Sequence, residues 1–506
     1  MDRPLTERYS EKIVGVISCF DRIVITGTLP EICHAQAMES LLRSKNIRLF
    51  DYTQFVEPLR EEIRLHAERL AEESGLEVEF IRRRNFRKED RVQEILEKRG
   101  TAPGLVHIFS ALEPCTCFKP WHDKKTGKTT LRSSDGKCLH YYFYFLDPNL
   151  GLCFLRVPTW APFRLQFYCN GHNLLAAQLK KAGLEFQLVD NVFVDLEDLS
   201  QAQQLADHLR VDVLHRRLDG LARQYCPVLV HFREGYHWSL MQVEYATDII
   251  FKRPADLQPL YEVLVRTAVH TVKPENIATF LGRKLDARYE GEIGNDFHTR
   301  IEGTRIKHHM GSLSIKMYDK LGRVLRLETT ANDVTVFRHH RRVEHRDGTW
   351  EMKIAPVKKS IYSLPALAEL MGAANRRYLE FLSSLDDPTA GIQDLEKLSR
   401  QARDGQRTYP GFNLFASSDL ALFESLVRGE FQLHGFQNRD LQELLPGRKS
   451  AAISRLLKRL RTHGLVKKVG RTYKYYLTRL GQRVILAGLK LRRLFLAPEL
   501  ARDVLA

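Results

Sequence analysis

The residues best equipped for chemistry lie in Gly311–Thr330, GSLSIKMYDKLGRVLRLETT. Leu313, Ile315 and Met317 alternate with Ser314, Lys316 and Tyr318, and Leu325 and Leu327 alternate with Arg326 and Glu328. This period of two predicts two half-buried strands. A three-residue loop, Lys320-Leu321-Gly322, pairs Met317 with Leu325 and Ile315 with Leu327, so the apolar faces coincide and the glycine takes the left-handed position. In that register Lys316 lies opposite Arg326 on the exposed face, with Glu328 diagonal to it and the Tyr318 hydroxyl beside both cations. Like charges across a strand pair destabilise it, and a bound phosphate would relieve them. Lys316 and Arg326 are therefore candidate nucleic-acid-binding residues. Upstream, Arg300–His309 reads as a neighbouring strand with Arg300, Glu302 and Thr304 on one face. His308 and His309 are adjacent, so on a strand they point to opposite faces and form no His-x-His pair.

Other residues have ligand chemistry. Glu244 and Asp248, four apart on the predicted strand Tyr236–Phe251, share a face; they can hold a divalent ion or pair with arginines. Cys115, Cys117, His122, Cys138 and His140 are zinc-type residues, but C-x-C followed by C-x-H lacks the usual gaps, and reduced cysteines beside a strand are the plainer reading. No phosphate-loop or dinucleotide-binding glycine motif is present, which argues against a nucleotide-driven motor.

The pattern GS-x-S-x-K-x-YDK followed by LR-x-E (Gly311, Ser312, Ser314, Lys316, Tyr318, Asp319, Lys320, Leu325, Arg326, Glu328) resembles the central motif of rolling-circle replication initiators and related nicking transposases. The resemblance spans about thirty residues. It implies a tyrosine that attacks a DNA phosphate and a His/carboxylate-held metal that polarises it. On this basis Tyr318 is the candidate nucleophile and Glu328 and Glu302 are candidate catalytic carboxylates. Glu244, Asp248 and His308 are candidate ligands for Mg²⁺ or Mn²⁺. A basic sheet that only binds backbone fits the same residues.

Charge is concentrated at one end. The chain of 506 residues carries 78 Lys+Arg against 62 Asp+Glu. Fifteen of those cations, and no acid, lie between Arg448 and Arg493; the other 63 nearly balance the 62 acids. A polyanion partner offsets the self-repulsion of such a segment by releasing its own counterions. The segment is also patterned. Ser418–Gly429, Gly435–Gly447 and Lys449–Gly464 read as helices, the third with an Ile453, Leu456, Leu457, Leu460 stripe; Asn438 reads as the cap of the second. LVKKVGRTYKYYLT reads as two strands around Gly470-Arg471, before a last helix. This order resembles winged-helix regulators of the MarR kind over about the last 75 residues. The resemblance implies that Lys449, Ser450, Arg455, Lys458, Arg459, Arg461 and His463 meet DNA from the third helix, and Arg471, Tyr473 and Lys474 from the wing.

The elements that must position these groups read as a multidomain α+β chain. Residues 1–226 form an N-terminal α/β region, with helix Phe55–Glu73 and an aromatic hairpin, HYYFYF and GLCFLRVPTWAPFRLQFY, around Asp147-Pro148-Asn149. Within that hairpin Phe143 and Phe145 are expected in the core, and Trp160, Phe163 and Tyr168 are open to base stacking. Residues 227–385 form a central mixed sheet with the antiparallel hairpin, 386–417 a linker, and 418–506 the winged helix. The expected function is a nucleic-acid-binding protein of a mobile element or replicon, DNA favoured over RNA. It would read duplex with the tail and hold or nick a single strand on the central sheet. A non-enzymatic transcription regulator and an RNA-binding ribonucleoprotein component fit the same charge pattern. No apolar run reaches membrane-spanning length and the first residues lack an export signal, so a cytoplasmic protein, with or without self-association, is expected.

Overall fold

The chain uses one order of elements, a long strand, helices and a four-stranded meander, twice. The computed structural model describes residues 4–500 apart from 84, 101, 284–288, 290, 301–302, 387–388, 471 and 498–499. Helix α1 (Leu5–Arg8) precedes strand β1 (Ile13–Thr28). Helices α2 (Ala35–Ser44) and α3 (Tyr52–Glu73), strand β2 (Val78–Phe80) and helix α4 (Lys88–Arg99) lead to a meander of β3 (Gly104–His122), β4 (Thr129–Asp147), β5 (Gly151–Pro158) and β6 (Leu165–Asn170). Helix α5 (Gly171–Ala182), hairpin β7 (Phe186–Val189) and β8 (Val192–Leu196), and helices α6 (Leu199–Asp207) and α7 (Val211–Tyr225) follow. The order then restarts. Strand β9 (His237–Phe251) and helices α8 (Pro254–Thr271) and α9 (Pro274–Phe280) lead to a second meander, β10 (Ile293–Arg300), β11 (Gly303–Met310), β12 (Leu313–Lys320) and β13 (Val324–Ala331). A separate hairpin, β14 (Arg338–Glu344) and β15 (Trp350–Pro356), and the long helix α10 (Leu364–Asp386) complete this unit, Met1–Asp386.

Eleven strands form one sheet in the order β10-β11-β12-β13-β9-β1-β6-β5-β4-β3-β2. At its centre β1 pairs antiparallel with β9 from Ile13/Phe251 to Thr28/His237. Outward from that pair each side repeats one plan: the fourth meander strand returns beside the first strand, β6 beside β1 and β13 beside β9. The strand framework is therefore pseudo-two-fold about the β1/β9 pair. The helices do not repeat it. α10 packs on β13, β9 and β1 on one face, in the core that holds Ile23, Val243, Leu325 and Leu327. Each such fully buried side chain is worth about 2 kcal/mol. On the other face α5 and α6 cover Ile17, Cys19, Ile250 and Val324, and α4 covers Phe109, Tyr142 and Tyr144. A polar strip runs between these two apolar patches.

Four sequence expectations change. The boundary expected near residue 227 falls inside this unit, because β1 and β9 lie on either side of it in sequence and adjacent in the sheet. The N-terminal region holds one parallel pair, β2 with β3; its other strands join the antiparallel sheet except β7 and β8, which form a hairpin of their own. The β12/β13 hairpin is slipped by two residues: Lys316 pairs with Glu328, Met317 with Leu327, and Tyr318 with Arg326, around Leu321-Gly322-Arg323. A two-residue slip leaves every side chain on the same face, so apolar alternation cannot detect it; the opposite charges of Lys316 and Glu328 can. The turn takes left-handed backbone at Leu321 (φ 57°) as well as Gly322 (φ 67°). For a leucine that conformation costs about 1 kcal/mol, so Leu321→Gly should raise stability by roughly that amount, read as the midpoint of urea unfolding. An unchanged or lower midpoint would contradict the turn geometry. Among the buried aromatics are Phe143, Phe145 and Phe163, which excludes Phe163 from base stacking.

The second unit, Asp387–Ala506, has its own core around Phe423, Phe436, Ile453, Leu460 and Ile485. It contains α11 (Thr389–Ser399), a small hairpin β16 (Ala402–Asp404) and β17 (Arg407–Tyr409), then α12 (Ser417–Leu426), α13 (Gly429–His434), α14 (Asn438–Leu444) and α15 (Ser450–Thr462). Hairpin β18 (Val466–Lys468) and β19 (Tyr475–Leu477) and helix α16 (Arg479–Lys490) end it. The expected linker 386–417 is thus partly helix and hairpin of this unit.

Candidate functional site

The polar strip is built by alternation on four adjacent strands. Lys316 and Tyr318 on β12, Arg326, Glu328 and Thr330 on β13, and Glu244 and Asp248 on β9 share the face away from α10. β1 adds Arg22, opposite Glu244, and Asp21. The pairing steps from Phe20/Tyr245 to Arg22/Glu244, so Asp21 is the extra residue of a bulge and reaches the same strip. The start of α5 closes the site. Asn170 caps that helix by accepting from the backbone of His172 and Asn173, and His172 is buried against the strip.

The charges interlock. Arg326, fully buried, makes a bidentate pair with Asp248 at 2.6 Å for both contacts, donates to the Asn191 carbonyl at 2.6 Å, and reaches Asp21 at 3.3 Å. The His172 ring bridges the two carboxylates, 3.0 Å from Asp21 and 3.4 Å from Asp248. Lys316 Nζ lies 2.5 Å from Glu328 and 3.3 Å from Glu244. Thr330 donates to Glu244 at 3.3 Å, Arg22 lies 3.6 Å from Glu244, and the Tyr318 hydroxyl donates to Glu328.

Burial alone would raise the pKa of Asp21, but His172 and then Arg326 outweigh it and hold the carboxyl below its usual range. Asp248 is also lowered: burial opposes the shift, and Arg326 and then His172 override it. Glu244 moves the other way, raised by burial and then by the neighbouring Glu328 carboxylate. The signs differ in consequence. For Asp21 and Asp248 the unfolded chain binds more protons near pH 4, so their contribution is present above their ordinary value of 3.8 and lost as pH falls below it. For Glu244 the folded chain holds the proton more tightly, so stability is lost as pH rises through its range. Stability should therefore fall between roughly pH 5 and pH 2, and Asp248→Asn should flatten that slope. Urea unfolding across the range measures both, and a variant slope equal to wild type would refute the assignment.

One carboxylate oxygen from each of Asp21, Glu244 and Glu328 lies within 4.8 Å of the others, the only such ligand group among the described residues. Three hard oxygen donors of this kind could hold Mg²⁺ or Mn²⁺. The sequence-derived set is thereby rearranged. Glu244 joins the group, but Asp248 is committed to Arg326. His308 lies on the opposite face, buried against Tyr378 (2.8 Å) and Asn295 (2.6 Å), and burial pushes its pKa down to about 4. Alternation along β11 puts it there, with its neighbour His309 on the strip side, 3.5 Å from Asp296. Tyr318, expected as an exposed hydroxyl, is 8% exposed, and burial followed by the Glu328 charge raises its pKa well above 10. Arg326, expected to meet phosphate, is internal. Glu302 lies outside the described residues. Asp21 and the Asn170-Gly171-His172 turn were missed; an aspartate inside an apolar strand run, CFDRIVI, was the available signal.

In the second unit the basic residues divide. Ile453, Leu457 and Leu460 are buried; Lys449, Arg455 and Arg461 on α15 and Lys467, Lys468, Tyr473 and Lys474 at the hairpin are exposed, with Tyr473 at 79%. Two expected DNA contacts are interior instead. Arg459 pairs with both oxygens of Asp419 at 3.0 and 3.1 Å and lies over the Phe412 ring, and both His463 nitrogens sit 3.0 Å from carbonyl oxygens of Lys397 and Pro410. The flank of α15 carrying them faces the 410–419 segment, whose side chains sequence spacing could not place. Lys458 pairs with Asp404. Ser450 donates to Asn438, which bonds across to α15 while Gln437 caps α14. Arg471 lies outside the described residues.

Compared with protein-family models, curated proteins and solved structures, the chain shows no significant match. No helix among the described residues is long and apolar enough to cross a membrane.

Proposed function

We propose that the chain is a nucleic-acid-binding protein of a mobile element or replicon, whose C-terminal unit binds duplex DNA as a winged helix. The observation that carries this reading is the exposed cationic surface of α15 and the β18/β19 hairpin, within a stretch from 448 to 493 that contains no acid. Lys449, Arg455 and Arg461 line the helix, and Lys467, Lys468 and Lys474 line the hairpin. Such contacts go mainly to phosphates and release counterions. Lys449→Ala with Arg455→Ala should weaken duplex binding and reduce the slope of log K against log salt by about 2. Fluorescence anisotropy across a salt series measures it; an unaltered slope would sink the reading.

The acidic group on the sheet favours a second activity, metal-dependent strand cleavage. Asp21, Glu244 and Glu328 would hold Mg²⁺ or Mn²⁺, which supplies Lewis-acid polarisation of a phosphodiester. Lys316 balances the carboxylates, and Tyr318 orients Glu328 by hydrogen bonding. A buried Tyr318 acts here as a positioning residue, with water as the nucleophile. Labelled single-stranded DNA with Mn²⁺ should be nicked by the wild type and not by Glu328→Gln. A covalent adduct lost in Tyr318→Phe would restore the tyrosine to the nucleophile's place. Binding without cleavage on any substrate would leave a non-enzymatic regulator.

A further inference from the structure

Hairpin β14/β15 forms a two-stranded sheet of its own and joins neither meander. Its register pairs His340 with Ile354, Arg342 with Met352, and Glu344 with Trp350. Trp350, Met352 and Ile354 therefore share one face, and all three stand in water, 55%, 50% and 64% exposed. An isolated hairpin is marginal in water, and three large apolar side chains left exposed on it do nothing to stabilise the free protein. They are rimmed by cations. Five Lys or Arg lie between 338 and 356 against three acids. Each acid is engaged locally: Glu344 with Arg342 at 3.5 Å, Glu351 with His345 and Lys353, and Asp347 with Thr349. Arg338 and Arg341 bond backbone carbonyls, and Arg346 is exposed. The Arg342 guanidinium lies 4.6 Å from the Trp350 ring centre.

We propose that this face binds single-stranded nucleic acid, with bases packing along Trp350, Met352 and Ile354 and phosphates meeting Arg338, which shares the face, and Arg346 at the hairpin end. Charge selects the occupant: a polyanion complements the surplus of arginines, whereas a second copy of the hairpin would bring like charge. Shape selects the strand state. A flat apolar column needs base faces, which a single strand offers and a stacked duplex hides. The proposal rests on the nucleic-acid-binding reading above, adding a second contact surface on the larger unit.

The test uses the full chain, a labelled oligothymidylate and a labelled duplex. Replacing Trp350, Met352 and Ile354 together by Ser should weaken oligothymidylate binding roughly 10- to 100-fold and leave duplex binding unchanged, while Lys449→Ala with Arg455→Ala does the reverse. The substituted side chains are exposed, so an unchanged unfolding midpoint verifies folding; Arg338→Ala with Arg346→Ala gives an independent loss on the same ligand. Wild-type binding of duplex but not oligothymidylate, or equal oligothymidylate affinity in the Ser variant, would overturn this proposal alone. Binding of neither ligand would overturn the function proposed above as well. Wild-type dimers that the Ser variant converts to monomers in sedimentation, with oligothymidylate affinity intact, would make the face a protein interface instead.

Discussion

Arg326→Met should destabilise the protein by about 3–5 kcal/mol, the range for removing one partner of a buried charge pair. Arg326 is the largest of the fully buried side chains. Methionine keeps an unbranched apolar stem but removes the guanidinium, leaving Asp248 and Asp21 facing each other across His172, with one imidazole for two carboxylates. The Asn191 carbonyl, at the turn of the β7/β8 hairpin, also loses its donor. Pairing the change with Asp248→Asn removes one orphaned charge and should recover a large part of the loss, a coupling that a double-mutant cycle isolates. The unfolding free energy of the four proteins in urea measures this. A loss under 1 kcal/mol in Arg326→Met would mean that Arg326 is not the buried partner of both Asp248 and Asp21.

Gly171→Ala should be nearly as damaging, about 3 kcal/mol, the upper part of the overpacking range. A Cβ at this position would lie 1.8 Å from the Phe20 carbonyl oxygen and 2.5 Å from its carbon. Both are backbone atoms of β1, immediately before the Asp21 bulge, so neither can rotate away. The glycine thus permits β1 to pass against the first turn of α5, which is what brings Asp21 to His172. Gly183→Ala, at the left-handed C-terminal cap of the same helix (φ 74°) with open space around it, should cost only about 1 kcal/mol. Thermal unfolding of the two variants separates steric overlap from backbone preference. Equal small losses would refute the close approach.

Much of this molecule is local and was readable. Alternation in Leu313–Met317, Leu325–Leu327 and Tyr236–Phe251 marked three central strands and placed Glu244 and Asp248 on one face. The acid-free run from 448 to 493 marked the cationic end, and helix α15 with its stop at Gly464 was expected there, whereas the short helix α13, which begins at Gly429, was not. The hairpin slip was not readable from apolar pattern, because a period of two is blind to a shift of two; the charge pair Lys316/Glu328 held the missing information.

The sequence by itself determined the central strands with their shared faces, the amphipathic helices and where positive charge accumulates, because each depends on neighbours a few residues away. Only the tertiary structure decided that Arg326 is interior, that Arg459 and His463 turn inward, and that Asp21, Glu244 and Glu328 converge. Those outcomes join residues far apart in the chain, Arg326 to Asp248 across 78 positions and to Asp21 across 305. The free energy that selects the Arg326 cluster comes from desolvation and charge pairing across strands, and neither exists until the two halves of the first unit share one sheet, whereas Arg459 and His463 are set by the 397–419 segment of their own unit.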